Sequence, residues 1–206
     1  MFYDRADAAR QLAEKLASYK GQNPLVLAIP RGAVGIGRTI AQALDGELDV
    51  ILVRKLRAPF QPELAVGAID ENGVTMIDDY AEMVGADEPY LESEKREQLD
   101  IIRRRRAEYT PVRAPIPPDG RLVIVVDDGL ATGSTMIAAL RSLRAQNPAK
   151  LICAVPVSPP DTLQKIAPLA DQVICLEAPD NFHAVGQFYV EFPQVDDDEV
   201  LAALGQ

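Results

Sequence analysis

The stretch Val123-Ile124-Val125-Val126-Asp127-Asp128-Gly129-Leu130-Ala131-Thr132-Gly133-Ser134-Thr135 decides how the rest of the chain is read. Four apolar residues run into two adjacent carboxylates. A loop of small and hydroxyl residues follows, and a helical pattern starts at Met136. This order describes a buried parallel strand whose carboxyl end opens onto a ligand. Gly129 and Gly133 permit a tight turn and a close approach. The amides of Ala131, Thr132, Gly133, Ser134 and Thr135 then fall at a helix N-terminus, where unpaired N–H groups and the helix dipole favour an anion. Asp127 and Asp128 would repel that anion. When ionised they only accept hydrogen bonds, so they suit hydroxyl groups or a metal. A ribose 5-phosphate, with a phosphate at one end and a diol beside it, answers both halves. Two other phosphate loops are excluded. Gly129 to Gly133 is one residue short of G-x-x-x-x-G-K-[ST] and no Lys follows, and no G-x-G-x-x-G occurs.

The thirteen residues closely resemble the 5-phosphoribosyl 1-diphosphate (PRPP) motif of type I phosphoribosyltransferases, in which a hydrophobic strand precedes two acidic residues and a Thr/Gly-rich phosphate loop. The whole chain is similar to a bacterial group of phosphoribosyltransferases with no established acceptor. The resemblance implies an α/β fold: a parallel sheet with flanking helices, a lid hairpin and a small C-terminal hood.

Composition sets outer limits. A chain of 206 residues with 48% hydrophobic content reads as one domain, residues 1–206, with a sizeable core. A net charge of −10 argues against a nucleic-acid partner, which needs a basic face. No apolar run is long enough to span a membrane, and the N-terminus lacks a leader pattern, so a cytoplasmic protein is expected. Cys153 and Cys175 lie far apart, without metal spacing, and read as reduced small apolar residues.

Taken in order, Asp4 or Asp7 can cap a first helix with the stripe Ala9, Leu12, Ala13, Leu16 and Ala17, which is read as packing alone. Residues 24–29 form a strand that runs into Pro30-Arg31-Gly32-Ala33 and a helix to about Leu44. Residues 48–53 form the next strand, and Arg54-Lys55-Leu56-Arg57 reads as a basic turn at its end. Asn72-Gly73 between two apolar runs signals a hairpin. Residues 88–109 read as a long amphipathic helix, with Leu91, Lys95, Leu99, Ile102 and Arg106 as its apolar side. Its Arg103–Arg106 run reads as a solvated last turn, or as a cluster that reaches a phosphate. Four prolines make 110–120 an extended connector. A helix over 135–146, strands over 150–157 and 172–176, a helix over 161–167 and a terminal helix over 196–204 complete the chain. Strands alternating with helices imply a parallel sheet with ligands beyond its carboxyl edge.

The resemblance assigns roles to these positions. Arg31, Gly32 and Ala33 look like the loop that binds the diphosphate of PRPP, and Lys55 like the basic residue that points at it. Asp127 and Asp128 would hold the ribose and favour its positive charge. Together with Lys55 and Arg31 they form the expected catalytic set. Ala131 to Thr135 would hold the 5-phosphate. Mg²⁺ would come with PRPP, carried by substrate oxygens and reaching Asp127 and Asp128 through water at most. The lid would lie at roughly 57–80 within an insertion over 57–110, and the hood at 179–206. Phe182, Phe188 and Tyr189 could wall a nucleobase-like acceptor, or pack the tail onto the sheet. His183, the only histidine, reads as a surface or packing residue more readily than as a base. The implied activity is that of a glycosyltransferase of nucleotide metabolism, a phosphoribosyltransferase, in a homodimer. A binding-only regulator of the same fold is the alternative, and a phosphorylase or phosphohydrolase that keeps the ribose-phosphate site is a third reading.

Overall fold

A computed structural model describes residues 1–205. Among the described residues, eight strands divide into two sheets. β1 (Leu25–Ala28), β2 (Glu47–Val50), β6 (Leu122–Val126), β7 (Lys150–Val157) and β8 (Gln172–Glu177) form a five-stranded parallel sheet in the order β2-β1-β6-β7-β8. β3 (Val53–Arg57), β4 (Ala65–Asp70) and β5 (Thr75–Ile77) form a separate antiparallel sheet. The helices are α1 (Arg5–Lys15), α2 (Val34–Ala43), α3 (Glu88–Tyr109), α4 (Ser134–Arg144), α5 (Pro160–Ile166) and α6 (Asp197–Leu204).

Side chains alternate across the parallel sheet, as strand geometry requires. Val26, Ala28, Ile124 and Val126 face one side and pack with α1, α2 and α6 through Leu12, Leu16, Ile36, Ile40, Val200 and Leu204. Leu25, Leu27, Val123 and Val125 face the other and pack with α4 and α5 through Met136, Leu140, Leu143 and Ile166. Both faces are covered, which explains the near-continuous apolar runs of β1, β6 and β7. Cys153 and Cys175 are free thiols.

Two expectations need correction. Residues 48–53 are not one strand. β2 ends at Val50, the chain bends at Ile51 and Leu52, and β3 continues in the other sheet. Arg54 to Arg57 therefore lie in a strand, not a turn. The pairing partner of β3 is β4, which comes later in the chain, so no local pattern reveals it. The second correction concerns α3. The helix has the expected bounds, and Ile102 and Arg106 of its expected side are buried, with Leu91 and Leu99 packed against the core, but Glu94, Gln98 and Tyr109 are buried as well. Glu94, Gln98 and Arg106 can sit there because each meets a partner on β2, β3 or the hairpin, whereas the Tyr109 hydroxyl is buried without one among the described residues. Arg57 donates to Glu94 from Nε at 2.8 Å, Arg54 donates to Gln98 Oε1 at 2.6 Å, and Arg106 bonds Asp49 at 3.0 Å and Glu71 at 2.6 Å.

The same contacts fasten the β4–β5 hairpin. Glu71 in its turn is held by Arg106, and Asp70 accepts from the Ser142 hydroxyl of α4. Asp70 Oδ1 also takes the amides of Asn72 and Val74, which closes the Asn72-Gly73 turn. The connector over 110–120 is irregular, as its prolines require. Among the described residues no helix is long and apolar enough to cross a membrane.

Candidate functional site

The loop after β6 is built by close approach. Gly129 has φ +152° and Gly133 has φ +74°, both outside the range of ordinary side chains. A Cβ on Gly129 would lie 2.5 Å from Val185, and one on Gly133 would lie 2.6 Å from Thr162. The loop is fastened through Leu130 N–H, which donates to Val157 O at 2.9 Å, and Ala131 O, which accepts from Thr162 Oγ1 at 2.7 Å. The amides of Ala131, Thr132 and Gly133 donate to no acceptor among the described residues. They open at the N-terminus of α4, where Gly133 occupies the cap position. The hydroxyls of Thr132 and Ser134 lie 3.1 Å apart on the same loop. Free donors at a helix start are what an anion requires. Thr135 belongs to the first turn of α4, one residue later than the helix start.

The two carboxylates are not equivalent. Asp127 lines a hollow of about 250 Å³ together with Lys55, Thr132, Ser134 and Val185. Its Oδ1 accepts the Asp128 amide at 2.8 Å. Burial, and then the charge of Asp128, push its carboxyl well above the usual range. Asp128 points the other way. Its Oδ2 accepts from Arg5 Nε at 2.9 Å and lies 2.9 Å from Arg5 Nη2, with both side chains 16% exposed. Burial raises its carboxyl too, against the pull of Arg5.

The loop after β1 carries Arg31, Gly32 and Ala33. Its Pro30–Arg31 peptide is cis. Gly32 lies so close to the Asp128 carboxylate that a Cβ there would collide with it. Ala33 is buried at the start of α2, so only its backbone can serve a ligand. Arg31 reaches Asp197 of α6 at 3.5 Å. Arg31, Gly32, Asp128, Arg5, Phe192 and Gln194 border a second hollow, of about 380 Å³. Lys55 and Arg31, expected to share one diphosphate, thus line different hollows at the same sheet edge.

Arg5 is absent from the sequence reading, which assigned α1 to packing alone. The Asp4 cap places it at the first helical position. There its Nη1 donates to Pro193 O at 2.6 Å, and its guanidinium lies 3.8 Å over the Phe192 ring. A cation in the first turn of a helix opposes the dipole, and that was the available signal that it needs a partner elsewhere. The tail rings take the packing alternative. Phe188 is 9% exposed and Tyr189 is 6% exposed. Phe182 stacks on Phe188 at 5.2 Å, and Tyr189 packs on Phe2 at 5.5 Å. Tyr189 Oη donates to Asp128 O at 2.7 Å and so props the backbone of the carboxylate pair. Of the three rings only Phe182 keeps a part-exposed face. His183 is exposed, and its amide donates to Gln187. The hood range ends at Gln206, which lies outside the described residues.

Residues 2–193 match the phosphoribosyl transferase domain family. The chain belongs to that family. Two curated proteins of Mycobacterium tuberculosis, from strains CDC 1551 and H37Rv and provisionally named phosphoribosyl transferases, are each 45% identical over 205 residues. That alignment takes in 99% of this chain and 46% of theirs, so the chain spans about half the length of those relatives. The crystal structure of the protein TT1426 from Thermus thermophilus is 42% identical, with a TM-score of 0.91 over 99% of this chain and 97% of that one. A purine phosphoribosyltransferase from Pyrococcus horikoshii shares the fold at 18% identity, with a TM-score of 0.50 over 94% and 93% of the two chains. The α/β fold of the family, a parallel sheet with flanking helices, is therefore the fold of this chain.

Proposed function

We propose that the chain transfers the 5-phosphoribosyl group of PRPP to a nitrogenous, nucleobase-like acceptor and releases diphosphate. One observation carries this reading. A loop of free amides, a carboxylate pair and a guanidinium loop meet at the carboxyl edge of one parallel sheet in a member of this family.

Each part of the substrate then has a place. The amides of Ala131 to Thr135 hold the 5-phosphate. Asp127, open to the hollow, accepts the ribose hydroxyls. Arg31 and the backbone of Gly32 and Ala33 take the diphosphate, and Lys55 adds charge at the phosphate-loop side. As the bond from C1 to diphosphate lengthens, positive charge builds on the ribose and negative charge on the leaving group. Ionised Asp127 and Asp128 favour the first, and Arg31 and Lys55 the second. Among the described residues no three metal-ligating side chains cluster, yet Asp127 leaves Oδ2 without a protein partner. This suits an ion carried by the substrate's own oxygens and touched by Asp127, directly or through water. Mg²⁺ bound in that way would neutralise diphosphate charge. No side-chain nucleophile is required.

Calorimetric titration with PRPP, with and without Mg²⁺, tests the reading, followed by a screen of acceptors for diphosphate release. Binding that weakens about a hundredfold in Asp127→Asn, and release with one acceptor, are expected. Binding without release would leave a regulator of the same fold. No binding at millimolar PRPP would end the reading. The reading includes a cytoplasmic homodimer, its assembly testable by sedimentation, with no nucleic-acid partner, which the net charge of −10 supports.

A further inference from the structure

Two buried side-chain atoms have no hydrogen-bond partner among the described residues, the Tyr109 hydroxyl and Asp197 Oδ1. They belong to different elements, the end of α3 and the start of α6. A buried donor or acceptor left unpaired is costly, so two of them in one fold ask for a reason. The two are complementary, because a hydroxyl can donate and a carboxylate oxygen can accept. They also share a neighbourhood. Tyr109 lies in one core cluster with Val200 and Leu204 of α6. Gly205, after α6, comes so close to Val112 that a Cβ on it would lie 3.1 Å away. Burial raises the Tyr109 hydroxyl, and the charges of Arg105, Asp197, Glu108 and Arg31 all act on it. The hydroxyl is therefore within electrostatic reach of the diphosphate loop.

Asp197 is the link between them. Its Oδ2 lies 3.5 Å from Arg31 Nη1. It is the first residue of α6, and the capping box between Asp196 and Glu199 fixes the turn around it. α6 in turn packs on α2, the helix that the loop of Arg31 opens, and Val200 and Leu204 share a core cluster with Ile36 and Ile40. One carboxylate oxygen thus reaches the guanidinium, and the other is turned inward. At 3.5 Å the outer contact is loose beside the 2.9 Å from Arg5 to Asp128. Hydrogen bonds of a reactive site are often long without its ligand and tighten when it is bound. Tightening here would satisfy both unpaired atoms at once.

We propose that Asp197 and Tyr109 are positioning residues for Arg31. As diphosphate binds, the Tyr109 hydroxyl donates to Asp197 Oδ1, and Oδ2 closes on Arg31 and aims its remaining N–H groups at the ligand. The inference rests on the placing of diphosphate at Arg31 in the phosphoribosyl-transfer reading. It adds Asp197, which lies beyond the residues 2–193 matched to the family, and it gives the terminal helix and the end of α3 a part in the site.

Calorimetry with inorganic diphosphate, ribose 5-phosphate and PRPP, each with Mg²⁺, tests the relay on Tyr109→Phe, Asp197→Ala and the double variant. Asp198→Ala, exposed in the same turn of α6, controls for the lost charge, and thermal unfolding checks that each variant folds. Tyr109→Phe removes an unpaired hydroxyl, so the ligand-free protein should melt no lower than before. It should nevertheless bind diphosphate and PRPP about fivefold more weakly, as should Asp197→Ala. A tyrosine that only packs the core would not separate affinity from stability in this way. Ribose 5-phosphate should stay within about twofold, because its loop is untouched. The double variant should bind no more weakly than the weaker single one, and Tyr109→Phe should change nothing further in an Arg31→Ala background. Unchanged diphosphate affinity in folded Tyr109→Phe would overturn the relay, while PRPP binding keeps the transfer reading. Tighter diphosphate binding in Asp197→Ala would show the carboxylate competing with the ligand for Arg31, and would overturn the relay as well. Diphosphate binding that depends on both residues, with no PRPP binding, would keep the relay and end the transfer reading. Binding of none of the three ligands would end both.

Discussion

At the scale of single residues, the carboxylate pair carries two kinds of prediction. Asp127 has its carboxyl raised, so the fold favours its neutral form. The stability tied to this preference is complete below the ordinary carboxylate pKa and is lost as pH rises through the raised value. Asp127→Asn should therefore raise the melting temperature of the ligand-free protein at pH 7, with the gain shrinking toward pH 4. With PRPP bound, substrate hydroxyls and Mg²⁺ favour the ionised carboxylate again, so the same variant should weaken PRPP binding by about 2–3 kcal/mol. Calorimetry and thermal melts across pH check both halves, and a melting temperature that falls at pH 7 would contradict the account. Arg5 gives the second prediction. Arg5→Ala leaves Asp128 half-shielded without its counter-charge and should cost about 2–3 kcal/mol, measured by urea unfolding. Asp128→Asn in the Arg5→Ala background should recover part of that loss, which a double-mutant cycle would show.

At the scale of elements, α3 and the hairpin act as one unit. Arg106 is 10% exposed and holds Asp49 and Glu71 at once. Arg106→Met would strand two carboxylates and should cost about 3–5 kcal/mol, or roughly 10 °C in melting temperature. Hydrogen exchange should find the 65–77 hairpin protected before any ligand is added. Residues 58–64, with Phe60 86% exposed, should exchange fast. Fast exchange over both segments would show that the hairpin is mobile and contradict its fastening by Arg106 and Ser142. Elements are also the scale at which a local pattern suggests the wrong division. Arg54-Lys55-Leu56-Arg57 reads as a basic turn because three cations in four residues look solvated. They form a strand because Gln98 and Glu94, some forty residues away, accept two of them. The α3 stripe is wider than its helical pattern for the same reason, since Glu94 and Gln98 are buried only by virtue of partners that periodicity does not see.

At the scale of the whole molecule, the two ends of the chain close the site together. Phe2 bridges Tyr189 in parallel, Met1 pairs with Glu177, and Arg5 ties Asp128 to Pro193. Removing the tail from residue 182 onward should expose Phe2, release Asp128 and abolish PRPP binding, with a clear fall in melting temperature. Retained PRPP affinity in the truncated protein would show that the tail is dispensable. By itself the sequence determined the parallel sheet, the order of its elements, the glycine-bearing loop after β6 and the carboxylate pair, because these depend on short-range signals: apolar runs, glycines at tight turns and a helix start. Tertiary structure alone decided that Asp127 faces the hollow while Asp128 is held by Arg5, and that the tail rings pack inward. Those outcomes depend on which side chains meet across as many as 188 residues of chain, as Arg5 meets Pro193, and such pairings leave no periodic trace in a sequence.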